Sequence, residues 1–317
     1  MTAAATPAGA AATNRYPAEL PATPLVPVRL SEGEPAIWCK LEFLNPSGST
    51  KDRIARYILR DAVERGEVRP GGTVIEASSG STSIAMALVS AQLGLRFLAV
   101  MPDGVSNERV LMIRAYGGGI HLVGKAEGIG ACIRESERLA KEHGAFLPRQ
   151  FSNPRNPEAH ANGTAREILE QIPGRRVDAV VSGVGTGGTL VGLVRGCSMG
   201  GHAPRAFVAR PVDLGQERDH ECCSFSCRIP GVLECASELF RASDHPGLET
   251  IEVPDREAIE ATRALIRLGF PVGPSSGLNY CAAAAAARKL GTAHVVTVFP
   301  DRMERYFTTE LFRPFGG

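Results

Sequence analysis

The stretch Asp178-Ala179-Val180-Val181-Ser182-Gly183-Val184-Gly185-Thr186-Gly187-Gly188-Thr189 decides the fold. Asp178–Ser182 is short and apolar and reads as a strand; helical spacing takes over near Thr189–Arg195, with glycines in the turn between. A strand that turns straight into a helix is half of a parallel crossover unit, because parallel strands need a long connection back over the sheet. The alternation extends both ways. Upstream, helices are expected at Lys51–Arg65, Ser83–Leu93, Ser106–Tyr116 and about Gly128–His143, with strands at Thr73–Ala77, Arg96–Met101 and Ile120–Val123. After the turn-rich Gln150–Pro157 comes a helix near Thr164–Ile172. Downstream, strands at Arg205–Arg210, Glu249–Val253 and His294–Phe299 go with helices at Arg256–Leu268 and Gly277–Leu290, and Pro211–Pro246 reads as irregular. The fold class is α/β, with mostly parallel sheets in two three-layer lobes and a cleft between them. The expected division is a disordered tail over 1–14, a smaller mobile lobe over 47–150, and a larger lobe from 15–46 plus 151–317.

The totals narrow the function. The 317 residues and 44% hydrophobic content allow a sizeable core, and 35 Lys+Arg against 34 Asp+Glu leave a net charge near zero without blocks of one sign. Such a chain offers no electrostatic surface for nucleic acid or membrane, so a small-molecule ligand is the expected partner. No apolar run approaches the ~20 residues that span a bilayer, and the first residues lack the basic start and apolar core of a signal peptide. A cytoplasmic location is expected. Of the eight cysteines, Cys222, Cys223, Cys227 and Cys235 crowd together beside His220 and Glu221. Their spacing fits no common zinc pattern, so no metal is expected; reduced thiols, a redox-responsive pair or a variable loop remain open.

Backbone N–H groups at the strand-to-helix turn Gly183–Thr189 are unpaired, and the helix dipole favours an anion there. Gly185, Gly187 and Gly188 let a phosphate approach, while Thr186 and Thr189 add hydroxyls. Gly183, Gly185 and Gly188 also satisfy the loose G-x-G-x-x-G pattern of dinucleotide sites, but that pattern belongs in a first βαβ unit with an acid about 20 residues on. Far upstream lies Asn45-Pro46-Ser47-Gly48-Ser49-Thr50-Lys51-Asp52-Arg53. An amine that can lose its proton, together with a phosphate cradle, suggests pyridoxal phosphate, whose aldehyde needs a lysine and whose phosphate needs converging donors. Taken alone, Lys51 reads as a lysine on an exposed turn, since one preceded by Gly, Ser and Thr is common there.

Three more polar turns strengthen this reading. Glu76-Ala77-Ser78-Ser79-Gly80-Ser81-Thr82-Ser83 links a strand to a helix and can hold a carboxylate, although a serine-rich helix cap looks the same. Gly273-Pro274-Ser275-Ser276-Gly277 is another pre-helical serine turn, and Gln150-Phe151-Ser152-Asn153-Pro154 supplies an amide near the junction of the lobes.

In this order, and with Lys40-Leu41-Glu42, Met101-Pro102, Glu108-Arg109, Ala115-Tyr116-Gly117, Pro300-Asp301 and Glu304-Arg305-Tyr306, these motifs resemble the cysteine synthase family. That family comprises the O-acetylserine sulfhydrylases and the catalytic core of the cystathionine β-synthases, and has the type II fold of pyridoxal-phosphate enzymes. The likeness runs from about Thr23 to Tyr306; with the sequence ending at Gly317, no appended domain is expected. The resemblance implies Lys51 as the Schiff-base lysine and Gly185, Thr186, Gly187, Gly188 and Thr189 as the phosphate loop. It implies Ser275 at the pyridine nitrogen, and Ser78, Ser79, Gly80, Thr82 and Gln150 around the substrate carboxylate. Ser81 stands where the family has an asparagine that touches the cofactor's phenolic oxygen. The implied reaction is β-replacement on an activated L-serine, O-acetylserine or O-phosphoserine, through an α-aminoacrylate, with Lys51 moving the α-proton. Sulfide is the plainest nucleophile, as in cysteine biosynthesis. The segment bordering the nucleophile, Ala209-Arg210-Pro211 and Arg228–Glu234, departs from the family pattern. An amine nucleophile giving a diaminopropionate-type product, a β-eliminating deaminase and a cofactor-binding regulatory partner therefore stay open. Family habit implies a homodimer.

Overall fold

The computed structural model describes residues 20–78, 80–212, 228–232, 237–242, 247–292 and 294–315. The tail expected over 1–14, Ser79, and the cluster Cys222, Cys223, Cys227 and Cys235 lie outside these residues. Among the described residues the strands form two sheets. The larger has the order β1-β2-β9-β6-β7-β8, from β1 (Leu25–Val28), β2 (Ile37–Lys40), β9 (Val295–Val298), β6 (Ala179–Gly183), β7 (Arg205–Val212) and β8 (Glu249–Pro254). Every pairing in it is parallel except β1 against β2. The smaller sheet is parallel throughout: β3 (Thr73–Ala77), β4 (Arg96–Pro102) and β5 (Gly119–Val123), in that order.

Side-chain alternation assigns each face of a sheet its own helices. In the larger sheet Val181 and Val295 point into a core with Phe207, Leu265 and Leu278 under α8 (Asp255–Arg267) and α9 (Pro274–Leu290). Their neighbours Val180 and Val296 point the other way, to Leu193 of α7 (Gly188–Met199) and Ile168. In the smaller sheet Val74 and Ala99 meet Ile54 and Ile58 of α1 (Lys51–Glu64) and Ile84 of α2 (Ser81–Leu93). Ile75 and Val100 meet Cys132 and Leu139 of α4 (Gly128–His143) on the opposite face. Strands covered on both faces lack polar alternation, and β9 accordingly is buried at all four positions. Helix α3 (Asn107–Ala115) completes the smaller sheet's surroundings.

Three local readings need correction. Gln150–Pro157 is not turn throughout: the Asn153 side chain accepts the Arg155 N–H at 3.0 Å, and α5 (Arg155–Ala159) starts there. It runs through a π turn (His160–Ala165) into α6 (Arg166–Gln171), so the helical path begins well before Thr164. The hairpin of β1 and β2 was not legible, because four-residue strands and Pro27 hide it; proline is tolerated there because β1 is an edge strand. Strand β7 continues through Pro211 to Val212, beyond Ala209, the last residue paired with β6, so the proline interrupts no bond on that side.

Candidate active site

The ends of β3, β6 and β9 open on a cavity of about 490 Å³. Open parallel sheets place ligands at the carboxyl ends of their strands, where helices begin and loop backbone is unpaired. Lys51, Ser78, Ser81, Thr82, Gln150, Gly185, Thr186, Gly187, Thr189 and Ser275 all line it. Gly80 and Gly188 stand behind this wall, Gly80 against the Arg109 side chain and Gly188 against Asn156.

The glycine run leaves β6 and enters α7 with Gly187 in the left-handed region at φ 79°. That is the conformation glycine adopts without steric cost. A Cβ on Gly188 would overlap the Asn156 amide, so the loop is pressed against that side chain. Thr186 Oγ1 accepts from Asn156 Nδ2 at 3.0 Å and from the Gly188 N–H at 3.3 Å. With both acceptor positions filled, its own proton is left to donate. A donor of this kind at a helix N-terminus, with backbone N–H groups beside it, fits a phosphate dianion.

Lys51 opens α1 and lines the cavity. The preceding turn is fixed from both sides: the Asp52 carboxylate accepts the Ser47 N–H at 2.9 Å, and Thr50 N–H reaches Pro300 O at 2.8 Å. Desolvation lowers the pKa of the Lys51 amine, and the Asp301 carboxylate opposes this. The five lysines of the chain are Lys40, Lys51, Lys125, Lys141 and Lys289. Only Lys51 and Lys125 reach the cavity, and Lys125 is exposed. Lys40 is instead buried against Glu167 at 2.8 Å, in a cluster where Arg53 pairs with both Glu42 and Glu167. Burial raises the Glu42 pKa but the Arg53 charge outweighs it, and Glu42 is held down at about 2. Two cations and two anions cancel under α1, which anchors Lys51 without adding net charge beside it.

The turn after β3 holds a second set of donors. Ser78 Oγ accepts the N–H groups of Gly80 at 3.0 Å and Ser83 at 3.3 Å, so its proton too is free to donate. Thr82 Oγ1 donates to Gln150 Oε1 at 2.7 Å, and Gln150 Nε2 donates to Ala77 O at 2.7 Å. Beneath them the buried Glu76 carboxyl accepts the N–H groups of Ala77 at 2.9 Å and Gln150 at 3.1 Å, clasping the two segments together. Burial pushes Glu76 up to about 8 against these hydrogen bonds. Ser81 Oγ donates to Asp301 Oδ2 at 3.2 Å, which also accepts from Tyr306 at 2.7 Å. Ser275, in the first turn of α9, faces the same space.

Sequence reasoning missed Asn156, His160, Asn279 and Glu76 as structural partners of these groups. Asn279 accepts the Gly183 N–H at 2.8 Å and so fixes the start of the glycine run. Each has a partner far along the chain, and the one available signal was a polar side chain at a position whose spacing along its helix or, for Glu76, its strand faces inward.

Comparisons with known proteins agree with this geometry. The family model described as pyridoxal-phosphate dependent enzyme matches residues 19–301. A cysteine synthase of Staphylococcus aureus (strain Mu50 / ATCC 700699) is 36% identical over 302 residues, covering 92% of this chain and 94% of that relative. Among solved structures, an O-acetylserine dependent cystathionine β-synthase from Helicobacter pylori is 34% identical with a TM-score of 0.80, over 92% of this chain and 95% of that one. An O-ureido-L-serine synthase is 33% identical with a TM-score of 0.80, over 92% of both chains. This chain belongs to the pyridoxal-phosphate dependent enzymes.

Proposed function

We propose that this protein is a cysteine synthase-like enzyme that replaces the β-substituent of an activated L-serine, O-acetylserine or O-phosphoserine, with sulfide. The observation that carries the reading is one cavity holding a desolvated lysine amine and two separate sets of anion donors, at Thr186 and at Ser78. Pyridoxal phosphate, when bound, supplies an electron sink for charge that develops on the substrate's α-carbon. Its phosphate would be held by Gly185, Thr186, Gly187, Gly188 and Thr189, and its ring nitrogen would meet the neutral Ser275 hydroxyl. Ser78, Ser79, Gly80, Thr82 and Gln150 orient the substrate carboxylate, with Ser81 nearer the ring. Lys51 Nζ, its pKa lowered by desolvation, takes the α-proton and later returns it. Residues 47–150 act as the smaller lobe and close over the carboxylate, which excludes water from the reacting carbon. The working form is a homodimer in the cytoplasm.

The test is product analysis of the cofactor-loaded protein with O-acetyl-L-serine or O-phospho-L-serine and sulfide. Cysteine formed from either donor, and lost in Lys51→Ala, is the expected result. Pyruvate as the sole product, or no turnover with either donor, refutes it. A second reading keeps the donor and changes the nucleophile, and the likeness to an O-ureido-L-serine synthase favours it. Faster turnover with an amine or hydroxyurea than with sulfide would decide for that reading.

A further inference from the structure

His160 touches nothing in the cavity, yet it sits directly behind the phosphate loop. It is fully buried in the π turn, with Nδ1 3.0 Å from Thr164 Oγ1 and Nε2 3.2 Å from Thr189 Oγ1. The approach is a built feature. A Cβ at Gly192 of α7 would lie 2.5 Å from His160 Cβ, so the missing side chain is what lets helix and π turn close to this distance. Burial holds the imidazole pKa down at about 3; the Glu42 charge opposes this and the Lys51 and Arg53 charges add to it, so the ring is neutral and carries one N–H.

One proton between two ring nitrogens leaves two arrangements. If Nδ1 is protonated it donates to Thr164, Nε2 accepts a hydrogen bond from the Thr189 hydroxyl, and Thr189 offers only an oxygen lone pair to the cavity. An anion there would be repelled. If Nε2 is protonated it donates to Thr189 Oγ1, the Thr164 hydroxyl donates to Nδ1, and the Thr189 proton is released toward the cavity. The second arrangement fills one acceptor position of Thr189, where Asn156 Nδ2 and the Gly188 N–H fill both positions of Thr186.

We propose that His160 is a positioning residue of the phosphate cradle: protonated at Nε2, it donates to Thr189 Oγ1 and so commits the Thr189 hydroxyl proton to the bound phosphate. This rests on the reading of residues 183–189 as a phosphate site.

Two measurements on the full chain test it. The first is ¹⁵N NMR of histidine-labelled protein, free, with inorganic phosphate, and loaded with pyridoxal phosphate, with His160 assigned by its loss in His160→Gln. Protonated Nε2 and unprotonated Nδ1 in the loaded wild-type protein are expected; the reverse tautomer overturns the proposal without any variant. The second compares His160→Gln, whose amide can still donate, with His160→Leu, which cannot. Losing a donor to a hydroxyl that binds an anion should weaken cofactor binding about tenfold or more in the leucine variant, and by less than about threefold in the glutamine variant. The ³¹P resonance of the bound phosphate should move in the leucine variant alone. Equal losses in both variants, tracking their melting temperatures without cofactor, would assign His160 a purely structural part and overturn the proposal. If the wild-type protein binds neither phosphate nor pyridoxal phosphate, the phosphate-site reading itself falls, a result distinct from binding with the wrong tautomer.

Discussion

Replacing Gly188 with alanine adds one methyl group, and the structure leaves it no room. The new Cβ would lie within 3.0 Å of Oδ1, Cγ and Nδ2 of Asn156. Gly188 has no positive φ, so the backbone itself accepts alanine, and by itself the change would be neutral or stabilising by about 0.4–1 kcal/mol. The clash reverses that sign. Asn156 is 1% exposed, and its Nδ2 donates to Gln150 O at 2.8 Å and Thr186 Oγ1 at 3.0 Å. Displacing the amide breaks two hydrogen bonds of about 1 kcal/mol each. Forcing a methyl into a packed wall adds about 1–3 kcal/mol. The net loss is about 2–4 kcal/mol, measurable as a shift in the urea midpoint of the protein without cofactor. Because the two broken contacts hold one residue of the proposed carboxylate site and one of the proposed phosphate loop, cofactor affinity and donor KM should worsen together. The control is the same change in an Asn156→Ala background, where the obstructing amide is gone. There it should cost less than about 1 kcal/mol, a strong departure from additivity. Equal costs in the two backgrounds would refute the argument that Asn156 is what Gly188 makes room for.

Two further outcomes follow from buried charge. Glu167→Gln leaves Lys40 and Arg53 facing Glu42 alone, so it should destabilise the protein by about 3–5 kcal/mol; denaturant unfolding checks this, and a loss below about 1 kcal/mol contradicts it. Glu76 has a folded pKa of about 8, raised by burial above an unfolded value of roughly 4.3. A raised folded pKa gives a contribution that is full below the unfolded value and lost as pH rises through the folded one. Unfolding midpoints measured from about pH 4.5 to 8 should therefore fall with pH more steeply in the wild type than in Glu76→Gln, and parallel curves would contradict the assignment.

Much of the fold was legible because its signals are local. The strand over Thr73–Ala77 and the helix over Gly128–His143 have the bounds read from apolar spacing and flanking glycines. The smaller parallel sheet and most of the larger one follow from that alternation alone. The hairpin of Leu25–Val28 and Ile37–Lys40 was not legible, since its strands are short and its pairing is set by tertiary contact with Val295–Val298. The α5 start at Arg155 was hidden because Asn153 and Pro154 signal a turn, and here the asparagine of that turn starts a helix.

The candidate site divides in the same way. Glycine and serine turns announce where donors lie, and one cavity is lined by Lys51, Thr82, Gln150, Thr186 and Ser275. The side chains that decide how those donors point were invisible, because the partnerships are long-range: Ser81 with Asp301, Asn156 with Thr186, His160 with Thr189. A hydroxyl in a sequence is both donor and acceptor until its neighbours in space fill one capacity.

The central claim is that Lys51 carries the cofactor. Its most direct test is borohydride reduction of the protein loaded with pyridoxal phosphate, followed by peptide mapping of all five lysines. A reduction-stable cofactor adduct is expected on the Lys51 peptide and on no other. An adduct on Lys125, which opens onto the same cavity, or no adduct at all, would contradict it.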